Sequence, residues 1–339
     1  MERMVLGRTG LEVYRLGLGG IPIQRVGEEE AVQTVLHAVE RGVDFIDTSR
    51  IYTTSERRIG LALEQTDRHV VVASKTPAPT ADGARAHLET SLRELRRGHI
   101  DLYQCHFVAD TEAYRTIVSP GGALEGLIAA RGEGLISHIG ITSHSLDVLE
   151  QAIDDGFFDT IMVCFSFLEP KAREIVIPRA VDRNIGVMAM KPFSGGVIED
   201  ARLALNYSLS EPGVLVLAGV ETPALFDKNW QVFAENEPLS AAQEEEIAAL
   251  QRQYDKLFCR RCDYCQPCSE DIPIQTVLGI RYLVKRMGKK TFMEGPFGQA
   301  VAKGTDCTEC GVCMTRCPYE LPIPDLIREN LRWLEEQDE

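Results

Sequence analysis

Eight of the ten cysteines stand in two short runs, and thiolates at such spacing bind metal. The first run is Cys259-Arg-Arg-Cys262-Asp-Tyr-Cys265-Gln-Pro-Cys268. The second is Cys307-Thr-Glu-Cys310-Gly-Val-Cys313-Met-Thr-Arg-Cys317-Pro318. The second fits C-x2-C-x2-C-x3-C-P, the pattern whose fourth Cys ligates the neighbouring four-iron cluster. The first is one residue short before its fourth Cys and has Ser269 where Pro is usual. Two intervening residues let the chain wrap one corner of a cubane, so three thiolates converge on three irons and the fourth comes from afar. The expected ligands are Cys259, Cys262, Cys265 and Cys317 for one 4Fe–4S cluster, and Cys307, Cys310, Cys313 and Cys268 for the other. Zinc is the alternative, because two C-x2-C pairs make a four-thiolate site. It leaves the third and fourth cysteines of each run unexplained. Residues 274–287, IQTVLGIRYLVKRM, have helical spacing, so a mostly helical two-cluster module is expected.

A second set of residues suits proton transfer. Asp47 and Tyr52 follow one apolar run, Lys75 the next, and His106 the one after that. A free Tyr, with a pKa of about 10, is a poor acid–base catalyst at neutral pH. A neighbouring Lys75 cation is expected to stabilise the phenolate and lower that pKa. Asp47 would hold Lys75 charged, and His106 would orient a carbonyl oxygen by donating a hydrogen bond. Taken singly, each has a plainer reading: an Asp–Lys pair, a buried His and a packed Tyr are all common structural features.

The elements that must position these groups are short. Apolar runs at 15–19, 43–47, 70–74, 101–106, 138–142, 160–165, 186–190 and 214–218 are too brief and too β-rich for helices. Amphipathic stretches lie between them, such as Leu88, Leu92 and Leu95 at i, i+4 and i+7. Eight such units predict an α/β fold, a (β/α)8 TIM barrel, with active groups gathered where the strands end. A doubly wound sheet is the runner-up, but Gly17-Leu-Gly19-Gly20 opens no matching helix. Ser240 and Gln243 make a capping box for a further helix, whose face carries Ile247, Leu250, Tyr254 and Leu257. The expected domains are a barrel over 1–235, a linking helix over 236–256 and the small mainly helical iron–sulfur module over 257–339.

The strings FIDTSRIY, SKT and DLYQCH resemble the aldo-keto reductase family. The opening GRTGLEVYRLGLGG is similar to that family's N-terminal hairpin and first strand. The cysteine-rich part and MKPFSGG (190–196) resemble a branch with a ferredoxin-like C-terminal extension. The resemblance implies a catalytic tetrad of Asp47, Tyr52, Lys75 and His106, and an NAD(H) or NADP(H) cofactor. It further implies cofactor contacts at Gly19, Gly20, Asp47, Thr142, Ser143, His144, Lys191, Pro192, Gly219, Glu221 and Asn229. The chain departs from the family at Met162 and Met190, where a Gln and an aromatic ring usually hold the nicotinamide. Gly219 and Leu225 stand where a Lys and an Arg usually meet a 2′-phosphate. Glu221 could accept instead from a free ribose hydroxyl, which favours NAD(H).

A net charge of −15 argues against nucleic acid or an anionic membrane as partner. No run of 18 apolar residues exists, and MERMVLGRTG shows no secretory pattern, so a cytoplasmic location is expected. Cys105 and Cys164 read as buried, unreactive thiols. The expected function interconverts a small-molecule carbonyl and alcohol, with clusters for electron transfer and a redox partner protein. An electron-transfer subunit with the barrel as docking scaffold is one alternative; purely structural clusters are another. Nicotinamide moves two electrons as hydride and each cluster moves one, so a flavin would normally bridge them, and no flavin fingerprint is present. The substrate pocket is expected from loops such as 107–119 and from the C-terminal module.

Overall fold

The computed structural model describes residues 1–337, the side chains of Arg286, Met287 and Pro296 excepted. Asp338 and Glu339, the end of the expected module, lie outside the described residues. The chain divides into two units: Met1–Ser194 with Ile198–Ser240, and Gly195–Val197 with Ala241–Glu339.

The first unit opens with an antiparallel hairpin, β1 (Arg3–Val5) and β2 (Glu12–Tyr14). Eight parallel strands then close a barrel. They are β3 (Leu16–Gly19), β4 (Phe45–Asp47), β5 (Val71–Thr76), β6 (Ile100–Cys105), β7 (Ile136–Ser143), β8 (Thr160–Cys164), β9 (Gly186–Met190) and β10 (Val214–Gly219). Each expected apolar run is one of these strands. Outside them run α1 (Glu28–Arg41), α2 (Ser55–Leu63), α3 (Ala81–Glu94), α4 (Thr111–Val118), α5 (Ala123–Gly132), α6 (Leu146–Asp155), α7 (Val176–Asp182), α8 (Ala201–Leu209) and α9 (Pro223–Glu235).

Strand alternation decides what fills the barrel. Phe45, Val71, Ala73, Leu102, Met162, Met188, Leu215 and Leu217 pack as one apolar cluster, which Leu6 and Val13 from the hairpin join. Burial of such side chains stabilises by roughly 1.5–3 kcal/mol each for the larger ones. Two residues further along, the same strand faces turn polar. Asp47 follows Phe45, Lys75 follows Ala73, and Gln104 and His106 follow Leu102. The barrel thus has an oily body and a polar end.

Two expectations change here. Residues 107–119 are not an open loop. Asp110 caps α4 by accepting from the backbone N–H groups of Glu112 and Ala113, and Tyr114 and Ile117 are buried. Leu257 does not share a buried helix face, because α10 (Ala241–Tyr254) stops three residues earlier and Leu257 is 54% exposed.

The second unit is helical among the described residues. After α10 come α11 (Ile274–Leu278), α12 (Ile280–Met287), α13 (Lys289–Glu294), α14 (Pro296–Gly304), α15 (Val312–Arg316) and α16 (Ile323–Glu335). Residues 274–287 are two helices rather than one, broken at Gly279. Ile274, Val277, Ile280, Phe292, Leu321, Ile323 and Ile327 form the unit's core together with Cys259 and Cys265. Asn330 on α16 donates to the carbonyls of Val277 and Leu278 and accepts from Arg281, tying α16 to α11 and α12.

Candidate functional site

The polar end of the barrel is built by register. Gly219 pairs with Gly19, Gly19 with Asp47, Asp47 with Ala73, and Lys75 with Gln104 across successive strands. Gly20 must lack a side chain: a Cβ there would lie 2.8 Å from both the Asp47 carbonyl oxygen and Ser55 Oγ. Three non-glycine residues beside this end are left-handed: Thr53 (φ 33°), Phe107 (φ 51°) and Lys191 (φ 61°). Each costs roughly 1–3 kcal/mol, which the surrounding structure must offset.

Lys75 is buried and donates from Nζ to Asp47 Oδ2 at 2.6 Å and to the Thr48 carbonyl at 2.6 Å. Gln104 Nε2 donates to the other Asp47 oxygen at 3.2 Å. Tyr52 lies beside Lys75, whose Nζ is 5.0 Å from the tyrosine ring centroid. The Tyr52 and His106 rings meet edge to face, 5.6 Å apart. His106 Nδ1 is 2.8 Å from Ser49 Oγ. The four groups Asp47, Tyr52, Lys75 and His106 are therefore gathered in one place.

Their protonation follows from burial and charge. Burial works against the Lys75 cation, but Asp47 and Tyr52 outweigh it and raise its pKa, so it is charged at neutral pH. Burial raises the Asp47 pKa, and Lys75 and Gln104 offset part of that. Burial, then the cations Lys75 and Lys191, hold His106 well below the usual range, so the ring is neutral. For Tyr52 the expectation is corrected. Burial raises its pKa above the ordinary value, and the Lys75 charge only partly offsets this. The resting group is the phenol.

Of the expected cofactor contacts, Gly19, Gly20, Asp47 and Gly219 lie along the strand ends just described. Lys191 and His144 are brought together, with Nζ and Nε2 2.8 Å apart, and His144 packs edge-on against Phe107 at 4.7 Å. Pro192 directly follows Lys191. The hydroxyls of Thr142 and Ser143 are engaged inside the fold instead. Thr142 accepts from the Phe107 N–H and Ser143 donates to the Val108 carbonyl, so both hold the segment after His106. Asn229 is buried on α9. Glu221 is not alone, because Arg25 Nη1 sits 2.6 Å from its Oε1. The local sequence hid this cation, 196 residues away. Gln104 and Ser49 were also missed. Gln104 carried a signal, standing two residues before His106 on the same strand face; Ser49 carried none.

The thiols of the second unit fall into two groups. Cys259, Cys262, Cys265 and Cys317 line one cavity. Cys268, Cys307, Cys310 and Cys313 line another, of about 290 Å³, and Cys265 lines both. The two runs share a backbone pattern. Residues on both sides of the second Cys are left-handed in each: Arg261 and Asp263, then Glu309 and Gly311. The third residue past each fourth Cys is left-handed as well, Asp271 and Glu320. Each is followed by an apolar residue, a Pro and an Ile that opens a helix, α11 or α16. Among the described residues no group of three or more His, Cys, Asp or Glu side chains is placed to hold a single metal ion. Zinc would need its four sulfurs about 2.3 Å from one point. Cys105 and Cys164 are buried, and burial pushes the Cys105 thiol up to about 12.

Comparison with known proteins agrees with the barrel. The aldo/keto reductase family matches residues 15–203, more than half of the chain. The chain is 26% identical to L-galactose dehydrogenase of Arabidopsis thaliana, over 74% of this chain and 94% of that protein. It is 30% identical to the uncharacterized oxidoreductase YrpG of Bacillus subtilis (strain 168), over 61% of this chain and 71% of that one. The fold is similar to the holo form of the aldo-keto reductase AKR11C1 from Bacillus halodurans. The TM-score is 0.64 at 22% identity, covering 74% of this chain and 96% of that structure. The chain belongs to the aldo/keto reductase family and is an NAD(P)-dependent oxidoreductase. Among the described residues no helix is long and apolar enough to cross a membrane.

Proposed function

We propose that the chain interconverts a small-molecule carbonyl and its alcohol at Asp47, Tyr52, Lys75 and His106, and that its second unit carries two 4Fe–4S clusters. The observation that carries the first part is the buried Asp47–Lys75 pair with the Tyr52 ring beside the cation and the His106 ring against Tyr52. The nicotinamide, when bound, supplies the hydride. Tyr52 gives its proton to the oxygen that the carbonyl becomes, and Lys75 stabilises the phenolate left behind. Asp47, held by Lys75 and Gln104, keeps that cation in place. Neutral His106 donates a hydrogen bond to the same oxygen. Gly19, Gly20, Gly219, His144, Lys191, Pro192, Glu221 and Asn229 are the cofactor-facing set, whereas Thr142 and Ser143 shape the segment behind it.

The upward shift of Tyr52 sets a pH dependence. Alcohol oxidation needs the phenolate, whose fraction below the pKa grows about tenfold per pH unit. Oxidation is expected to climb with pH between about pH 7 and about pH 9, whereas reduction, which uses the phenol, stays level. Steady-state rates in both directions check this. Oxidation that saturates below about pH 8 would place Tyr52 below its ordinary range and contradict the burial argument.

The Arg25–Glu221 pair bears on the choice between NAD(H) and NADP(H). A 2′-phosphate beside this pair meets a carboxylate that already occupies the cation, whereas a ribose hydroxyl donates to Glu221 without conflict. NADH is therefore expected to bind more tightly than NADPH. In Glu221→Ala the freed guanidinium can pair with phosphate, and NADPH affinity relative to NADH should rise about tenfold. Fluorescence titration with both cofactors reads this. An unchanged ratio would remove Glu221 from the adenosine site.

For the clusters, the carrying observation is the repeated backbone pattern around two groups of four thiols. Cys317 joins the first run and Cys268 joins the second, so the ligands cross. When bound, the clusters supply one-electron chemistry, and a redox partner protein is the proposed recipient. A reducing, cytoplasmic setting is proposed, because thiols there are kept available as ligands.

A further inference from the structure

We infer that Ser49 fixes which nitrogen of His106 carries the proton, and is thereby a positioning residue for the reduction. The inference rests on the role proposed for His106 and adds a residue to it. Ser49 is 1% exposed, at the turn that follows β4, and its Oγ lies 2.8 Å from His106 Nδ1. The Ile51 backbone N–H approaches the same oxygen at 3.4 Å and can only donate to it. Among the described residues Ser49 Oγ has no other hydrogen-bond partner, so its single proton has one acceptor, Nδ1. A ring nitrogen that accepts carries no proton. A neutral ring then has its proton on Nε2, the nitrogen left free to donate. The opposite tautomer would turn a lone pair toward a substrate oxygen gaining negative charge, which repels it. The sequence string FIDTSRIY thus carries an orienting hydroxyl two residues after Asp47.

The test uses full-length protein with 15N-labelled histidine, with the His106 signals assigned by their absence in His106→Gln. Long-range 1H–15N spectra distinguish the two tautomers. Wild type is expected to show the Nε2–H form. Ser49→Ala is expected to show a mixture of forms. Its kcat for carbonyl reduction should fall about tenfold, the scale of one lost neutral hydrogen bond, while NADH affinity stays unchanged. Ser49→Thr, which keeps the hydroxyl, should restore both the tautomer and the rate. If Ser49→Ala does not fold, Ser49→Cys, a poorer donor of similar shape, takes its place with the same expectations. An Nδ1–H form in wild type, or an Ala variant with unaltered tautomer and rate, overturns the inference. Full activity in His106→Gln instead overturns the role of His106 itself, whatever the spectra of Ser49→Ala show.

Discussion

Tyr52→Phe is expected to lower carbonyl reduction by about 10²–10⁴-fold, the usual contribution of one proton-transfer group. Cofactor binding should stay within a few-fold, because the ring remains and only the oxygen is lost. The size of the effect follows from the surroundings. Lys75, Asp47 and Gln104 form a buried hydrogen-bonded array, in which Gln104 Oε1 has no partner among the described residues, and the Tyr52 phenol stands beside its cation. No second hydroxyl replaces it, since Ser49 is engaged with His106 and Thr142 with the Phe107 N–H. Steady-state assays on a panel of aldehydes and ketones, beside NADH titration, measure both terms. A Phe variant that reduces carbonyls at the wild-type rate would sink the proton-donor assignment.

Cys317→Ala should remove one cluster and spare the other. Anaerobically prepared wild type is expected to hold about eight irons per chain, and the variant about four. The four that remain belong to Cys268, Cys307, Cys310 and Cys313, although Cys317 is nearer in sequence to that group than to Cys259. The reason is the fold. Cys317 lines the same cavity as Cys259, Cys262 and Cys265. Lys256, just before the first run, reaches Glu320 at 2.8 Å, just after the second. Because Cys317 joins the two ends of the unit, its loss should also loosen the segment around both runs, seen as faster amide exchange. Zinc in place of iron, or half the iron in wild type, contradicts the cluster reading. Loss of the cluster held by Cys307, Cys310 and Cys313 in this variant refutes only the crossing.

Much of the barrel was legible because its strands are short, apolar and separated by helical periodicity, and burial on both faces enforces that pattern. The four polar groups were legible because strand ends are where a barrel gathers chemistry. What escaped depends on distance or burial. Arg25 beside Glu221 joins residues that only the closed barrel brings together. The rise in the Tyr52 pKa is a burial effect, whereas sequence showed only the neighbouring cation. Helix α4 was written locally in Asp110, a capping residue, but TEAYRTIV is too short and mixed to read as periodic. The duplicated ends of the cysteine runs, Asp271-Ile-Pro-Ile and Glu320-Leu-Pro-Ile, were also present in the sequence, and their meaning came from their shared left-handed turn.

The central claim is that this barrel moves a hydride between a nicotinamide and a carbon atom. Its most direct test is to incubate the anaerobic, cluster-loaded protein with NADH carrying deuterium at the reactive carbon and with the carbonyl panel. The products are then analysed by mass spectrometry while the visible absorbance of the clusters is followed. The account predicts one deuterium at the carbinol carbon for each NADH consumed, and lost turnover in Tyr52→Phe. Bleaching of the clusters by NADH with no deuterium in any product would contradict it, and would make the barrel a scaffold for electron transfer.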